Sequence, residues 1–181
     1  MCRNVVPIIV RHGFTMIELL IVVAILAIAA AIAVPMVSSA GSMQLRAAVN
    51  IVAADLEYAK SMSISRGQKY SVVFDTMNGQ YRIVVINQSG NETPVTHPIT
   101  QSLNYVVRFQ SDSRLSQVNI ANVSFDGTNT VSFDYLGSPW SGTGSSATQL
   151  NSGVITLQAG GITRTVNVEP VTGYISIPPL N

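Results

Sequence analysis

Residues 13–35 read GFTMIELLIVVAILAIAAAIAVP, and this stretch decides how the chain is organised. No charged residue occurs between Leu19 and Val37. A helix needs roughly 20 mostly apolar residues to cross the core of a bilayer, where it satisfies its own backbone hydrogen bonds. The composition therefore predicts a transmembrane helix over residues 14–37. Pro35 falls near its outer end, where a proline is tolerated or produces a kink.

Glu18 is the one residue of this stretch that a plain membrane anchor does not explain. It lies one turn into the apolar run, where an ionised carboxylate costs roughly 2.5–3.5 kcal/mol on insertion scales. One interpretation places the carboxylate at the membrane interface, where it reaches the headgroups. The other interpretation neutralises it by protonation or by pairing, because a nearby opposite charge favours the ionised form.

The segment from Gly13 to Glu18 is a small residue followed by Phe-Thr-Met-Ile-Glu, directly before the apolar run. This pattern resembles the type IV prepilin signal, in which a prepilin peptidase cuts after the glycine and methylates the new N-terminus. The resemblance implies cleavage between Gly13 and Phe14 and an N-methylated Phe14. It also implies that Glu18 meets the N-terminal amine of a neighbouring subunit, and we assign assembly roles to Glu18 and Pro35.

Residues 1–13 form the predicted prepilin leader peptide. The single cysteine, Cys2, lies in this leader, so the soluble domain is expected to hold together without disulfides. Arg3 and Arg11 precede the apolar span, and the first charge after it is Arg46. Because positive residues stay cytoplasmic, the N-terminus is predicted inside and the C-terminal domain in the periplasm. The prediction is a single-pass protein of the inner membrane that is extracted into a periplasmic filament.

A second helical pattern is predicted over residues 38–66. Gly67 is expected to stop this helix, and Pro35 and Gly41 are where a bend or local melting is expected. The charged residues of the pattern, Asp55 among them, lie off its apolar stripe. Steps of four and three separate the apolar residues and predict packing against the protein's own sheet: Leu45, Val49, Val52, Leu56 and Ala59.

Residues 67–181 read as an antiparallel β domain. The overall prediction is an α+β, pilin-like fold in which one long N-terminal helix packs on an antiparallel sheet. Residues 87–102 and 137–152 are interpreted as loops. Strands are predicted at 70–75 with 81–86 around Asn78-Gly79, at 103–109, at 118–125 with 130–135, at 154–158 with 162–168, and at 174–177.

The C-terminal half also resembles a known family pattern. Three segments carry the resemblance, namely Phe133–Pro139, Gly153–Leu157 and Thr172–Ile175. They are similar to the GspH/FimT family, which holds the minor pseudopilin H of type II secretion and FimT-type minor pilins. That family has one long helix and an antiparallel β fold. Taken by themselves, these residues indicate turns at Gly137 and Gly173.

Catalytic and metal signals are weak. Without the leader the only histidine is His97, in a proline-flanked loop, and no Gly-x-Ser-x-Gly elbow is present. His97 is interpreted as a solvated loop residue. Asp126-Gly127-Thr128-Asn129 offers oxygens to calcium, but such a sequence is more commonly a hairpin turn. We therefore predict no enzyme activity, no cofactor and no metal site.

Nucleic-acid binding is also not expected. Removing Arg3 and Arg11 from the ten basic residues leaves eight against nine acidic residues, a net charge of −1. FimT-type pilins that serve DNA uptake carry a Gly-Arg-x-Arg-like segment, whereas this chain reads Gly-Tyr-Ile-Ser at residues 173–176. Affinity for nucleic acid depends chiefly on neutralising phosphates. The alternative is that three arginines converge in the folded domain: Arg108, Arg114 and Arg164.

These observations predict a minor pseudopilin-like structural subunit of a type II secretion pseudopilus, placed near the filament tip. The partners that this resemblance implies are the prepilin peptidase, other major and minor pilins or pseudopilins, the inner-membrane assembly platform and secreted cargo. Two alternatives stay open. One is a FimT-type minor pilin that serves pilus assembly, adhesion or DNA uptake, and the other is a signal-anchored periplasmic binding module that never polymerises.

Overall fold

The computed structural model describes residues 15–87 and 89–179, without the side chains of residues 32–39. The predicted leader and both residues of the predicted cleavage site, Gly13 and Phe14, lie outside this description. Pro35 is described by its backbone alone. The chain divides into two compact units, residues 1–38 and residues 39–181.

Helix α1 spans Met16–Arg66 and continues through Pro35 and Gly41. It ends where the sequence predicts, because Gly67 adopts a left-handed backbone with φ of +63°. The N–H of Gln68 then donates to the carbonyl of Ser63 (3.3 Å), which satisfies one of the free carbonyls at the helix end. A bend or local melting at Pro35 and Gly41 stays a prediction.

In the first unit, every described residue from 15 to 31 is exposed. Ten of them are large apolar side chains between Met16 and Ile28. In the part of the chain that the structure describes, no helix has both the length and the apolar character needed to cross a membrane. The span over residues 14–37 therefore stays a prediction.

In the second unit, helix α1 buries the stripe that the sequence predicts. Its members lie in one apolar core with side chains from the strands, such as Val72, Phe74 and Phe125. The helix therefore supplies one wall of this core, as its spacing of apolar residues requires. All of the following helix residues are at most 1% exposed: Leu45, Ala48, Val49, Val52, Leu56 and Ala59.

The strands form two antiparallel sheets. The first has the order β3-β2-β1-β6-β7-β8, with β4 also paired to β2. Its strands are β1 (Tyr70–Asp75), β2 (Gln80–Ile86), β3 (Glu92–Pro94), β4 (Tyr105–Arg108), β6 (Thr130–Phe133), β7 (Pro139–Ser141) and β8 (Thr148–Gln149). The second has the order β11-β10-β9-β5, with β5 (Asn119–Phe125), β9 (Gly153–Ala159), β10 (Ile162–Val168) and β11 (Ile175–Ser176).

Two of the three predicted hairpins are confirmed. Strands β1 and β2 pair from Tyr70 opposite Val85 to Asp75 opposite Gln80, around the Asn78-Gly79 turn. Strands β9 and β10 pair across Gly160-Gly161. The predicted strand over residues 174–177 is also present, as the shorter β11, and it pairs with β10.

The hairpin predicted from strands 118–125 and 130–135 is wrong. Strand β5 pairs with β9 in the second sheet, whereas β6 pairs with β1 and β7 in the first. Phe125 and Thr128 exchange backbone hydrogen bonds in a tight turn between them. Beyond this turn, the backbone carbonyl of Asn129 accepts the Phe74 N–H (3.0 Å), and the side-chain amide of Asn129 donates to the Phe74 carbonyl (2.7 Å). These two bonds attach the chain to β1, so the turn carries it from one sheet to the other.

The two predicted loops are also partly wrong. Residues 87–102 contain β3, which pairs with the end of β2. Residues 137–152 contain β7 and β8, which extend the first sheet beyond β6. These strands are two or three residues long, and two of them contain a proline. Proline and glycine indicate loops in a sequence, yet proline is tolerated at strand ends and sheet edges.

Candidate assembly site

The N-terminus of helix α1 is capped by a reciprocal pair of hydrogen bonds between Thr15 and Glu18. The Glu18 N–H donates to the Thr15 hydroxyl oxygen (3.2 Å), and the Thr15 N–H donates to the Glu18 carboxylate (3.4 Å). This capping box satisfies two backbone donors that the first helical turn leaves free. The Glu18 carboxylate is thereby turned back toward the beginning of the helix. Thr15 was not singled out from the sequence, although its spacing to Glu18 is the signature of such a cap.

Beyond this cap, the helix side chains up to Ala31 are not buried by any described residue. Leu20 and Leu26 are 64% and 62% exposed, and no residue from Leu19 to Ala31 is charged. Large exposed apolar surfaces on a protein mark contacts with other proteins or with a membrane. This segment therefore presents an apolar surface of the kind that contacts other proteins or lipid.

Asp55 joins the helix to the first sheet by side-chain hydrogen bonds. Its carboxylate accepts hydrogen bonds from the hydroxyl groups of Tyr81 on β2 and of Tyr105 on β4, the latter at 2.8 Å. Burial raises the pKa of Asp55, and the two tyrosine hydrogen bonds and His97 offset part of this rise. Burial likewise raises the pKa of both tyrosines, so they stay neutral donors.

His97 lies in its loop as predicted, but it is only partly solvated. Its ring stacks on Tyr105, with ring centroids 4.2 Å apart. Its Nδ1 accepts the backbone N–H groups of Ile99 (3.1 Å) and Thr100 (3.3 Å). The histidine therefore braces the loop before β4 against the tyrosine that binds Asp55.

Gly137 and Gly173 lie at turns, as the sequence predicts, and they also touch each other. Both have positive φ, +82° and +59°. A Cβ at Gly173 would lie 2.7 Å from the Gly137 carbonyl oxygen, so only glycine fits this approach. The Lys60 ammonium donates to the Gly173 carbonyl (3.0 Å) and ties both loops to the helix.

Asp134 organises the first loop, because it accepts the Ser138 N–H (2.9 Å) and the Trp140 indole N–H (3.0 Å).

The three arginines weighed for nucleic-acid binding do not converge, because Arg108 on β4 and Arg114 in the following turn lie apart from Arg164 on β10. Arg114 forms an ion pair with Asp112 (2.9 Å), and both line one shallow pocket with Arg108. Arg164 lies on β10 and donates to the Pro178 carbonyl (3.2 Å). Two of the three guanidinium groups are therefore engaged within the chain.

Asp126 serves the turn that crosses between the sheets. One of its oxygens accepts the Asn151 N–H (2.8 Å) and the other accepts the Ser152 N–H (3.0 Å). In the described residues, no three His, Cys, Asp or Glu side chains come together as metal ligands. Residues 126–129 therefore form a turn, as the sequence indicates, but this turn connects the two sheets and not the two strands of a hairpin.

Comparison with known proteins identifies both parts of the chain. Residues 10–34 match the model of the prokaryotic N-terminal methylation motif. Residues 48–172, more than half of the chain, match the model of the type II transport protein GspH. The chain belongs to the GspH family. No curated protein sequence matches it.

Solved structures of pilin-like proteins share this GspH-family fold. The minor pseudopilin EpsH from the type 2 secretion system of Vibrio cholerae superposes with a TM-score of 0.52 at 8% identity, over 75% of this chain and 96% of that one. The type IV minor pilin FimU of Pseudomonas aeruginosa strain PAO1 has a TM-score of 0.51 at 15% identity, over 76% and 90%. The predicted α+β, pilin-like fold is therefore confirmed.

The methylation motif covers the residues that the sequence singles out for processing. Gly13, Phe14, and Glu18 all lie within residues 10–34, so prepilin-type processing and assembly with other pilins are implied. Which bond is cut, which residue is methylated and what Glu18 and Pro35 do in assembly stay predictions. The family is GspH and the fold is pilin-like.

Proposed function

We propose that this GspH-family chain is a minor pseudopilin-like subunit of a type II secretion pseudopilus. One observation carries the proposal, namely that an exposed apolar helix with the methylation motif precedes a folded domain that matches GspH. The helix would be held in the inner membrane and then extracted into a short periplasmic filament. The β domain would lie near the filament tip and contact other minor subunits and secreted cargo.

The proposed maturation explains why Glu18 is kept in an apolar helix. Cleavage between Gly13 and Phe14 would leave a positive, N-methylated amine one residue before Thr15. Glu18 already turns back toward Thr15 through the capping box, so its carboxylate lies on the side of the helix end where an amine would arrive. In low dielectric the two charges compensate each other, within one subunit or between neighbours.

The second candidate is a minor pilin of a type IV pilus, which the likeness to FimU supports at the level of the fold. DNA uptake is the less favoured role for it. Arg114 and Arg164 are engaged within the chain, and phosphate neutralisation requires free cations. Adhesion or pilus assembly would need no such patch.

A clean deletion of the gene distinguishes a subunit of the type II secretion pseudopilus from a minor pilin of a type IV pilus. Secreted proteins and surface pili are scored side by side in the deletion strain, together with DNA uptake. Loss of secreted proteins with pili intact supports the type II assignment. Loss of pili or of uptake with normal secretion overturns it in favour of a minor pilin.

An intact-mass measurement tests the alternative of an anchored module that never polymerises. The chain is purified from membranes of a strain that has the prepilin peptidase. A mature species that starts at a methylated Phe14 supports the pilin class. A species that still starts at Met1 would overturn both filament assignments at once.

A further inference from the structure

The loop between β3 and β4 is organised around the backbone of His97. The His97 N–H donates to the Ser102 carbonyl (2.9 Å), and the His97 carbonyl accepts the Gln101 N–H (2.9 Å). These two hydrogen bonds turn the chain back on itself within six residues, 97–102. The outer part of the loop therefore closes on one residue, whose side chain is titratable.

The His97 side chain closes the same loop from inside. Its Nδ1 accepts the backbone N–H groups of Ile99 (3.1 Å) and Thr100 (3.3 Å). A neutral imidazole has one nitrogen that donates and one that accepts, whereas both nitrogens of the protonated ring are donors. The closed loop thus requires a neutral His97 with its proton on Nε2. Protonation at Nδ1 removes the acceptor of both N–H groups.

Few other interactions hold the outer loop in this conformation. Every residue from 98 to 104 is exposed, and the apolar side chains of Ile99 and Leu103 are 85% and 80% exposed. Gln101 has a positive φ of +53°, which is disfavoured for a residue with a Cβ. The closed conformation consequently depends on the hydrogen bonds that His97 makes and not on burial of the loop in the core.

The groups on the other side of the ring favour the protonated form. The ring stacks on Tyr105, with centroids 4.2 Å apart, and the Asp55 carboxylate on helix α1 interacts with His97 electrostatically. A nearby negative charge and an aromatic face both favour an imidazolium. Burial raises the pKa of the hydroxyl groups of Tyr58, Tyr81 and Tyr105, so these neighbours stay neutral in acid. The loop side of His97 thus favours the neutral ring, and the helix side favours the charged ring.

We propose that His97 is a proton-controlled latch, whose neutral ring holds residues 98–103 closed and whose protonation at Nδ1 releases them. Histidine ordinarily changes its charge between pH 5 and 8, so the release occurs in mild acid. The base of the loop stays closed, because the Tyr105 N–H donates to the Val95 carbonyl (2.7 Å) without involving the ring. The change alters how the domain presents the two exposed apolar side chains of the loop, whichever filament the chain joins.

The test uses the full chain, labelled with ¹⁵N, in detergent micelles. Protection of the backbone amides from hydrogen exchange is measured by NMR against an unstructured peptide at each pH, and the His97 ring is titrated in the same samples. Protection of Ile99 and Thr100 is expected to fall about tenfold as the ring gains its proton, the loss of about one net hydrogen bond. The Tyr105 amide should stay protected. Protonation of the ring with Ile99 and Thr100 still protected would overturn the proposal.

Two substitutions of His97 separate the hydrogen bonds from the stacking. His97→Asn places a side-chain oxygen where it accepts the same backbone N–H groups and does not titrate, so Ile99 and Thr100 should stay protected at every pH. His97→Phe keeps a ring beside Tyr105 but offers no acceptor, so both amides should be unprotected at every pH. Protection in His97→Phe that equals that of the unmodified chain contradicts the latch.

Asp55 is the other group of this cluster that titrates in acid, and it requires its own control. Asp55→Asn removes that titration while His97 keeps its bonds to the loop. The fall in protection of Ile99 and Thr100 is expected to persist in this variant and to follow the titration of the His97 ring. Its disappearance, or a fall at the same pH in His97→Asn, would assign the change to Asp55 and overturn the role of His97.

Discussion

At the scale of single residues, Asp55 shows how a charged side chain becomes part of the core. It accepts hydrogen bonds from Tyr81 and Tyr105, and burial raises its pKa. A buried carboxylate that keeps its charge is stable only while such donors surround it. The contact therefore orients the helix on the sheet, and its contribution to the unfolding free energy depends on pH.

The first prediction concerns this pH dependence. Because the folded-state pKa of Asp55 is raised above its ordinary value of 3.8, the folded protein binds the proton more tightly than the unfolded chain. The contribution of Asp55 to stability is therefore fully present below that ordinary value and is lost as the pH rises through the raised pKa. Relative to Asp55→Asn, the unmodified chain should gain unfolding free energy as the pH is lowered through the raised pKa of Asp55 toward its ordinary value of 3.8.

The measurement is urea unfolding followed by the fluorescence of Trp140, the only tryptophan. The lowered pKa values of the exposed Asp75 and Asp112 act in the opposite sense, but they cancel in the difference between the two proteins. His97 also faces the carboxylate, so the comparison is repeated in a His97→Gln background. A difference that does not change with pH would contradict the prediction.

The second prediction separates backbone strain from crowding at two glycines. Gly161→Ala is expected to cost about 1 kcal/mol, because a Cβ is strained at positive φ but meets nothing within 4 Å there. Gly173→Ala should cost roughly 3 kcal/mol, since overpacking against the Gly137 carbonyl adds to the same strain. Melting temperatures of the two variants check the order. Equal losses would mean that the loops separate freely to make room.

At the scale of elements, two segments of helix α1, which is 51 residues long, differ in how much of their apolar surface is buried. The described side chains up to Ala31 are all exposed, whereas the stripe from Leu45 to Ala59 is buried. Both properties could be predicted, because each depends on local composition or on the 3.6-residue period. The end of the helix could also be predicted, because it depends on a single residue, Gly67.

The pairing of strands was only partly predictable, for a physical reason. The Asp126-Gly127 turn signal indicates that the chain reverses, but the partner of β6 is decided by bonds between Asn129 and Phe74, which are 55 residues apart. Asp55 lies off the apolar stripe, and its role appears only when Tyr81 and Tyr105, 26 and 50 residues away, are folded beside it. Contacts of this kind have no periodic signature.

The third prediction distinguishes two roles of Glu18 at the start of the helix. Glutamine also completes a capping box, so Glu18→Gln should keep the helix start while removing the charge. If Glu18 pairs with the N-terminal amine, Glu18→Gln and Glu18→Ala should both be cleaved normally and both fail to enter filaments. Incorporation is measured by recovery of each variant in sheared filaments, with cleavage followed by intact mass. Normal incorporation of Glu18→Gln would reduce Glu18 to a cap.

At the scale of the whole molecule, the described core belongs to the second unit. Every core side chain lies at or after Leu45, and the described side chains before Val37 that are large and apolar are exposed. A unit with its own core is expected to fold by itself. The first unit then acts as an attachment that the β domain does not need for its own stability.

The fourth prediction is that a fragment that begins at Ser39 folds cooperatively, with Trp140 protected as in the full chain. The matched control begins at Ile51 and so removes Leu45, Ala48 and Val49, all at most 1% exposed. Their burial contributes about 5 kcal/mol, which is comparable to the whole stability of a small domain. The shorter fragment should therefore lose its cooperative urea transition. If both fragments unfold with the same midpoint, the helix residues from Ser39 to Asn50 contribute nothing measurable to the stability of the core.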